Sequence, residues 1–138
     1  MKNILKEYVI NGTYTFELGD KLSVATKGVK NEPGVYLFYT IKNQIEELVY
    51  IGSSGTMQQN GIFKDQLLKK RLQNKQEGVR RQVFFEMKIK QDNIDAIKVE
   101  WYVTFNENIK HLPAYIEAKL LQAYYDDNKQ LPIWNKKA

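Results

Sequence analysis

The chain contains no cysteine. That absence excludes disulfide bonds, thiol nucleophiles and cysteine-ligated zinc, and it fits a reducing interior. Histidine is nearly missing too, with one copy, His111, shortly before Pro113; a surface or capping role is expected of it. Long apolar runs are also lacking. The opening MKNILKEYVINGTY carries lysine, but Glu7, Asn11 and Gly12 interrupt it. Neither a signal-peptide core nor a membrane span is therefore expected, and the cytoplasm is the expected location. The Gly52-Ser53-Ser54-Gly55 segment lacks the lysine and the length of a phosphate-cradling loop, so no nucleotide cofactor is expected.

What is present suits a folded domain. Of 138 residues, 43% are hydrophobic and 12% aromatic, enough apolar surface to offset the entropy of ordering one compact unit. Twenty-one Lys and Arg against sixteen Asp and Glu give a net charge of +5. This favours a polyanionic partner through counterion release, although many unrelated proteins share such an excess.

Residues 14–24, TYTFELGDKLS, hold a short alternating run and a Gly-Asp turn signal, predicting a strand or hairpin within an N-terminal extension over 1–30. The main domain is expected over 31–138. There VYLFYTI and LVYIG, separated by the polar KNQIEE, predict an antiparallel hairpin joined by a modest loop. FKDQLLKKRLQNK predicts the first helix, after a turn at Asn60-Gly61, and RRQVFFEMKIKQ a second. IKVEWYVTF alternates, with Val99, Trp101 and Val103 on one face, and predicts a third strand. PAYIEAKLLQAYYDDN begins with proline at a favoured first-turn position and predicts the last helix. The expected fold class is α+β, a three-stranded antiparallel sheet flanked by helices.

Two helices carry charges at unexpected angles. At 100° per residue, Phe63, Leu67, Leu68 and Leu72 form an apolar arc with Lys64 and Arg71 in its middle, while Asp65, Gln66, Lys69 and Gln73 take the solvated side. In the last helix Glu117 falls within the arc of Ile116, Leu120, Leu121, Tyr124 and Tyr125. A buried carboxylate must be paired, protonated or bound to metal. From periodicity alone, a structural Glu117–Arg71 ion pair and a functional site are equally good accounts.

Gly34-Val35-Tyr36, thirteen intervening residues, then Tyr50-Ile51-Gly52 resembles the paired signatures of the GIY-YIG endonuclease family. The resemblance continues in order through Arg71, Glu117 in a helix opening with proline, and Asn135 in LPIWN. It implies a small stand-alone, prokaryotic or phage-type enzyme that hydrolyses phosphodiester bonds in DNA and leaves a 3′ hydroxyl. It also implies that Glu117 holds one divalent ion. A single carboxylate suits Mg2+ or Mn2+, which keep several waters and accept phosphate oxygens.

In this reading Arg71 clamps the scissile phosphate through paired hydrogen bonds, and Lys64, on the same expected helix face, assists as a point charge. Tyr36 and Tyr50 orient or deprotonate the attacking water, provided their strand register puts both on one face. Gly52 lets the backbone approach a phosphate, and Asn135 orders the C-terminal segment or the metal site. Ser53 and Ser54 are available as donors, though loop serines usually face water. Many relatives carry histidine or tyrosine one helical turn after the arginine; this chain has Lys75, which removes one candidate base. Two rivals follow: a catalytically inactive nucleic-acid-binding module of the same fold, and an interaction protein in which Glu117 and Arg71 pair structurally. A one-site domain cutting both strands would need a homodimer or two sequential nicks.

Overall fold

The computed structural model describes residues 1–64 and 67–138. At its centre, β2 (Gly34–Lys42) and β3 (Ile45–Ser54) form the expected hairpin. They are joined by Asn43 and Gln44 alone, at φ 51° and 66°, the left-handed backbone that lets a two-residue turn follow the strand twist. Most of KNQIEE is therefore strand rather than loop: polar side chains on an exposed strand end do not oppose pairing.

β8 (Ala96–Val103) pairs with the other edge of β2, and Val99, Trp101 and Val103 are buried together as their alternation predicts. The sheet has four strands rather than three. β1 (Asn11–Phe16) pairs antiparallel with β8, giving the order β1-β8-β2-β3. The N-terminal strand thus joins the main sheet, and Phe16 is fully buried in the same cluster as Val99. The chain before β1 makes the short α1 (Lys2–Leu5), and after it turns into α2 (Leu22–Ala25) instead of returning as a hairpin.

Helices cover both faces. On one, Tyr36, Phe38, Val99 and Trp101 pack under α3 (Leu68–Gln73) and α4 (Arg81–Asp92), through Leu68, Leu72, Phe84, Phe85 and Ile89. On the other, Val35, Leu37 and Ile51 pack under α5 (Pro113–Asn128), through Ile116, Leu120 and Leu121, with Leu5 and Tyr8 beside them. Pro113 opens α5 as expected, its missing N–H being one a helix start cannot pair anyway.

The first helix is much shorter than its periodicity predicts. Phe63 and Lys64 form β5 (Phe63–Lys64), paired with β4 (Thr56–Met57) around a turn where Gly61 sits at φ 83°. Only Leu68–Gln73 is helical, and a small hairpin of β6 (Lys75–Gln76) and β7 (Val79–Arg80) follows. An apolar spacing that spans two elements imitated one helix. Lys64 consequently does not share a helix with Arg71, and Asp65 and Gln66 lie outside the described residues. No helix among the described residues is long and apolar enough to cross a membrane.

Candidate functional site

The register settles which face the tyrosines take. Gly12, Trp101, Tyr36 and Gly52 stand opposite one another across the four strands, and Tyr14, Val99, Phe38 and Tyr50 form the next row. Tyr36 and Tyr50 therefore share a face. Their ring centroids lie 6.2 Å apart at 23°, and the Phe38 ring stacks on both, at 5.4 Å from Tyr36 and 5.2 Å from Tyr50.

Glycine at both ends of the first row makes room for the aromatics between. A Cβ on Gly52 would lie 2.6 Å from Cε2 of Tyr36 and 2.8 Å from its hydroxyl oxygen. One on Gly12 would lie 2.6 Å from the Trp101 indole. The space a side chain would fill at Gly52 thus seats Tyr36, which is only 1% exposed, whereas the sequence reading had that glycine opening the backbone to a phosphate.

Beyond Gly52, the end of β3 forms one wall of a cleft of about 540 Å³. Ser53, Lys64 and Arg71 supply its polar side; Met57, Phe63 and the start of α5 at Leu112 and Pro113 supply its apolar side. Phe63 is held edge-on by Phe105, with centroids 4.8 Å apart. The cleft lies at an end of the sheet, where α3 from one face and α5 from the other both reach it. This is how Arg71 and Glu117, on elements of opposite layers, come within electrostatic range of each other.

Arg71 and Lys64 are both exposed, so neither occupies the core position that helical periodicity implied. Glu117 is half-buried and borders the adjoining depression, which shares Ala114 with the cleft. Tyr125, assigned to the same buried arc, is 47% exposed. The Ser53 hydroxyl donates to Oε1 of Glu117. Burial raises the Glu117 pKa, opposed by that hydrogen bond and by the Arg71 charge. Ser53, which loop statistics would leave facing water, instead orients the carboxylate.

Tyr50 is half-buried. Burial, with neighbouring Tyr36 and Glu117, raises its pKa to about 12, while Arg81 and Arg71 pull it down. It is a neutral phenol near pH 7, suited to orienting a water by hydrogen bonding rather than deprotonating it. Lys75 is exposed and supplies no substitute base.

Asn135 supports the site from behind. Its Oδ1 accepts from the Ile51 N–H at 2.9 Å, and its Nδ2 donates to the Ile51 carbonyl at 2.9 Å. The Trp134 N–H adds a bond to the Val49 carbonyl at 2.8 Å. Together they close the otherwise open edge of β3. These bonds tie the C-terminal segment to β3. His111 is not among the residues that line the cleft; its Nδ1 is hydrogen-bonded to the Tyr8 hydroxyl at 2.8 Å.

Arg81, at the start of α4, was not singled out by the sequence reading. Its guanidinium carbon lies 5.4 Å from the Tyr36 centroid and 5.0 Å from that of Phe38, and the residue is 2% exposed. Nε and Nη1 are buried without a hydrogen-bond partner, as is the Tyr14 hydroxyl. Desolvated cation–π contacts contribute about 2 kcal/mol, less than the several kcal/mol that removing such a charge from water costs. The one sequence signal was a cation in the first turn of a helix, against the macrodipole.

Among the described residues no three Asp, Glu, His or Cys side chains cluster as a metal cage. The hard-oxygen donors present, the Glu117 carboxylate and the Ser53 hydroxyl, fit an ion that keeps most of its waters. Compared with family models, curated proteins and solved structures, the chain matches none of them.

Proposed function

We propose that the chain is a metal-dependent endonuclease hydrolysing phosphodiester bonds in DNA, of the kind its GIY-YIG resemblance implies. The observation that carries this reading is that Arg71, Lys64 and Ser53 line one cleft, while the Ser53 hydroxyl tethers Glu117, which borders the adjoining depression from the opposite face of the sheet. Two cations beside an aromatic and apolar wall match the two chemistries of a nucleotide, a phosphate and a base.

In this mechanism Arg71 and Lys64 bind the scissile phosphate and offset charge as it develops. Tyr50, the more exposed of the two tyrosines, orients the attacking water. Tyr36 and Phe38 fix the Tyr50 ring, and Asn135 fixes its strand. Glu117, steered by Ser53, would hold Mg2+ or Mn2+, which supplies Lewis-acid stabilisation of the leaving oxygen.

The test is cleavage of supercoiled plasmid and labelled branched DNA with Mg2+ or Mn2+, comparing wild type with folded Glu117→Ala and Arg71→Ala. Metal-dependent cutting abolished by both substitutions is the expected result; binding without cutting on every substrate refutes the enzyme reading. One observation favours that second outcome, a catalytically silent nucleic-acid-binding module: burial pushes the Tyr50 pKa up to about 12, so this phenol keeps its proton near pH 7.

A further inference from the structure

At 100° per residue Ala114, Ala118, Leu121 and Tyr125 fall within one narrow arc of α5. With Leu131 they form the apolar lining of the depression beside the cleft, a volume of about 530 Å³, within the size range of small-molecule sites, roughly 300–1,000 Å³. The two hollows share Ala114, so the depression continues the cleft along the helix. Ala114, Ala118 and Tyr125 are exposed. Two small side chains leave the helix surface open to a flat group, and Tyr125 offers that group a ring. No Lys or Arg lines the depression, and its one charged side chain, Glu117, is acidic. A phosphate finds no cation there; a neutral, planar, apolar-faced group fits.

The cations stand beside the depression instead of in it. Lys129 Nζ lies 5.7 Å from the Tyr125 ring centroid, and Lys119 Nζ lies 5.2 Å from that of Tyr115, which is less than a quarter turn from Tyr125 around α5. Leu112, Tyr115 and Tyr125 are large apolar side chains left exposed along this one helix and its entry. Such a cluster on a surface marks a binding site. Exposed rings with cations next to them are the chemistry that holds single-stranded nucleic acid, the rings stacking on bases and the cations following the backbone. A duplex cannot use the rings, because its base faces are stacked inside.

We propose that the depression on α5 receives an unpaired nucleobase from the strand whose phosphate occupies the cleft, so that the chain acts on DNA with a single-stranded segment beside the cut. The place of the cut rests on the endonuclease reading; the binding of the base does not. Arg71 and Lys64 take the phosphate on the cleft side, and Tyr125 takes the base on the other side of Ala114.

The test is fluorescence anisotropy without divalent metal, on a labelled duplex that is blunt, carries a short single-stranded arm, or carries the same arm built of abasic nucleotides. Wild type is compared with Tyr125→Ala, Tyr125→Phe and Ala118→Leu. Both positions are exposed, so the variants should fold, and thermal melting checks that they do. The expected result is that wild type binds the arm-bearing duplex roughly tenfold more tightly than the blunt one, the worth of about one stacked base. The abasic arm, which keeps the phosphates, should lose that preference. Tyr125→Ala and Ala118→Leu should lose it too, the second by filling the floor of the depression, while Tyr125→Phe keeps it. Equal binding of armed and blunt duplexes, or of normal and abasic arms, would overturn the proposal. So would a preference that survives in both Tyr125→Ala and Ala118→Leu. Self-association that Ala118→Leu abolishes, with DNA binding unchanged, would assign the face to a second copy of the chain instead. If wild type shows the base-dependent preference but cuts nothing with Mg2+ or Mn2+, the endonuclease reading fails and the base site stands; if it cuts DNA without the preference, the reverse holds.

Discussion

The Tyr36 ring lies against the backbone of Gly52, its partner across β2 and β3, with Cε2, Cζ and the hydroxyl oxygen 2.6–2.8 Å from where a side chain would begin. One residue's lack of a Cβ sets the position of the other, and through the stack with Phe38 it sets the position of Tyr50 as well.

Gly52→Ala should therefore destabilise the protein by about 1–3 kcal/mol, the usual cost of forcing extra volume into a packed core. Tyr36→Leu in the same chain should recover part of that loss, because the clash is with this ring. Denaturant unfolding of both single variants and the double variant measures the coupling. Additive effects would mean that Gly52 is needed for its backbone and not for the ring.

Asn135→Leu removes two hydrogen bonds from the peptide of Ile51. At about 1 kcal/mol each, the expected loss is about 2 kcal/mol, with faster hydrogen exchange at the Ile51 amide. Asn135→Asp keeps the acceptor and loses the donor, so it should fall between. Unchanged exchange at Ile51 in Asn135→Leu would remove this asparagine from the support of β3.

For Glu117 the pH dependence has a definite sign. Burial raises its folded pKa above the unfolded value. Its contribution to stability is then full below the unfolded pKa of about 4.3 and is lost as pH rises through the folded value. Glu117→Gln should be at least as stable as wild type at pH 7, with the difference closing by pH 4. Mg2+ should raise the melting temperature of wild type and not of the variant. A variant markedly less stable at pH 7 would point to a structural pairing of Glu117 instead.

Lys64→Ala and Arg71→Ala each remove one exposed cation from the cleft. If each meets a phosphate, each variant should reduce the slope of log affinity against log salt by about 0.9 for duplex DNA. Titrations at four or five salt concentrations give the slopes. Weaker binding with an unaltered slope would place the lost contact away from phosphate.

The sequence made the hairpin, β8, α4 and α5 legible because their signals are local: alternation, β-branched and aromatic runs, proline at a helix start. It failed between Phe63 and Lys75, where a two-residue strand and a six-residue helix happen to be spaced like one longer helix. It failed again at Arg81 and Ser53, whose neighbours are 45 and 64 residues away, at Tyr36 and Glu117. Nothing adjacent in the chain marks either residue.

By itself the sequence determined the α+β class, the β2–β3 hairpin, a further strand at β8, and the ordered set of Tyr36, Tyr50, Arg71, Glu117 and Asn135. Only the tertiary structure decided that β1 joins the sheet, that both tyrosines share a face, and that Arg71 and Glu117 meet at the end of β3. The physical reason is that periodicity fixes which way a side chain points within one element. The register between strands, and the layer from which each helix approaches, depend on contacts between residues far apart in the chain.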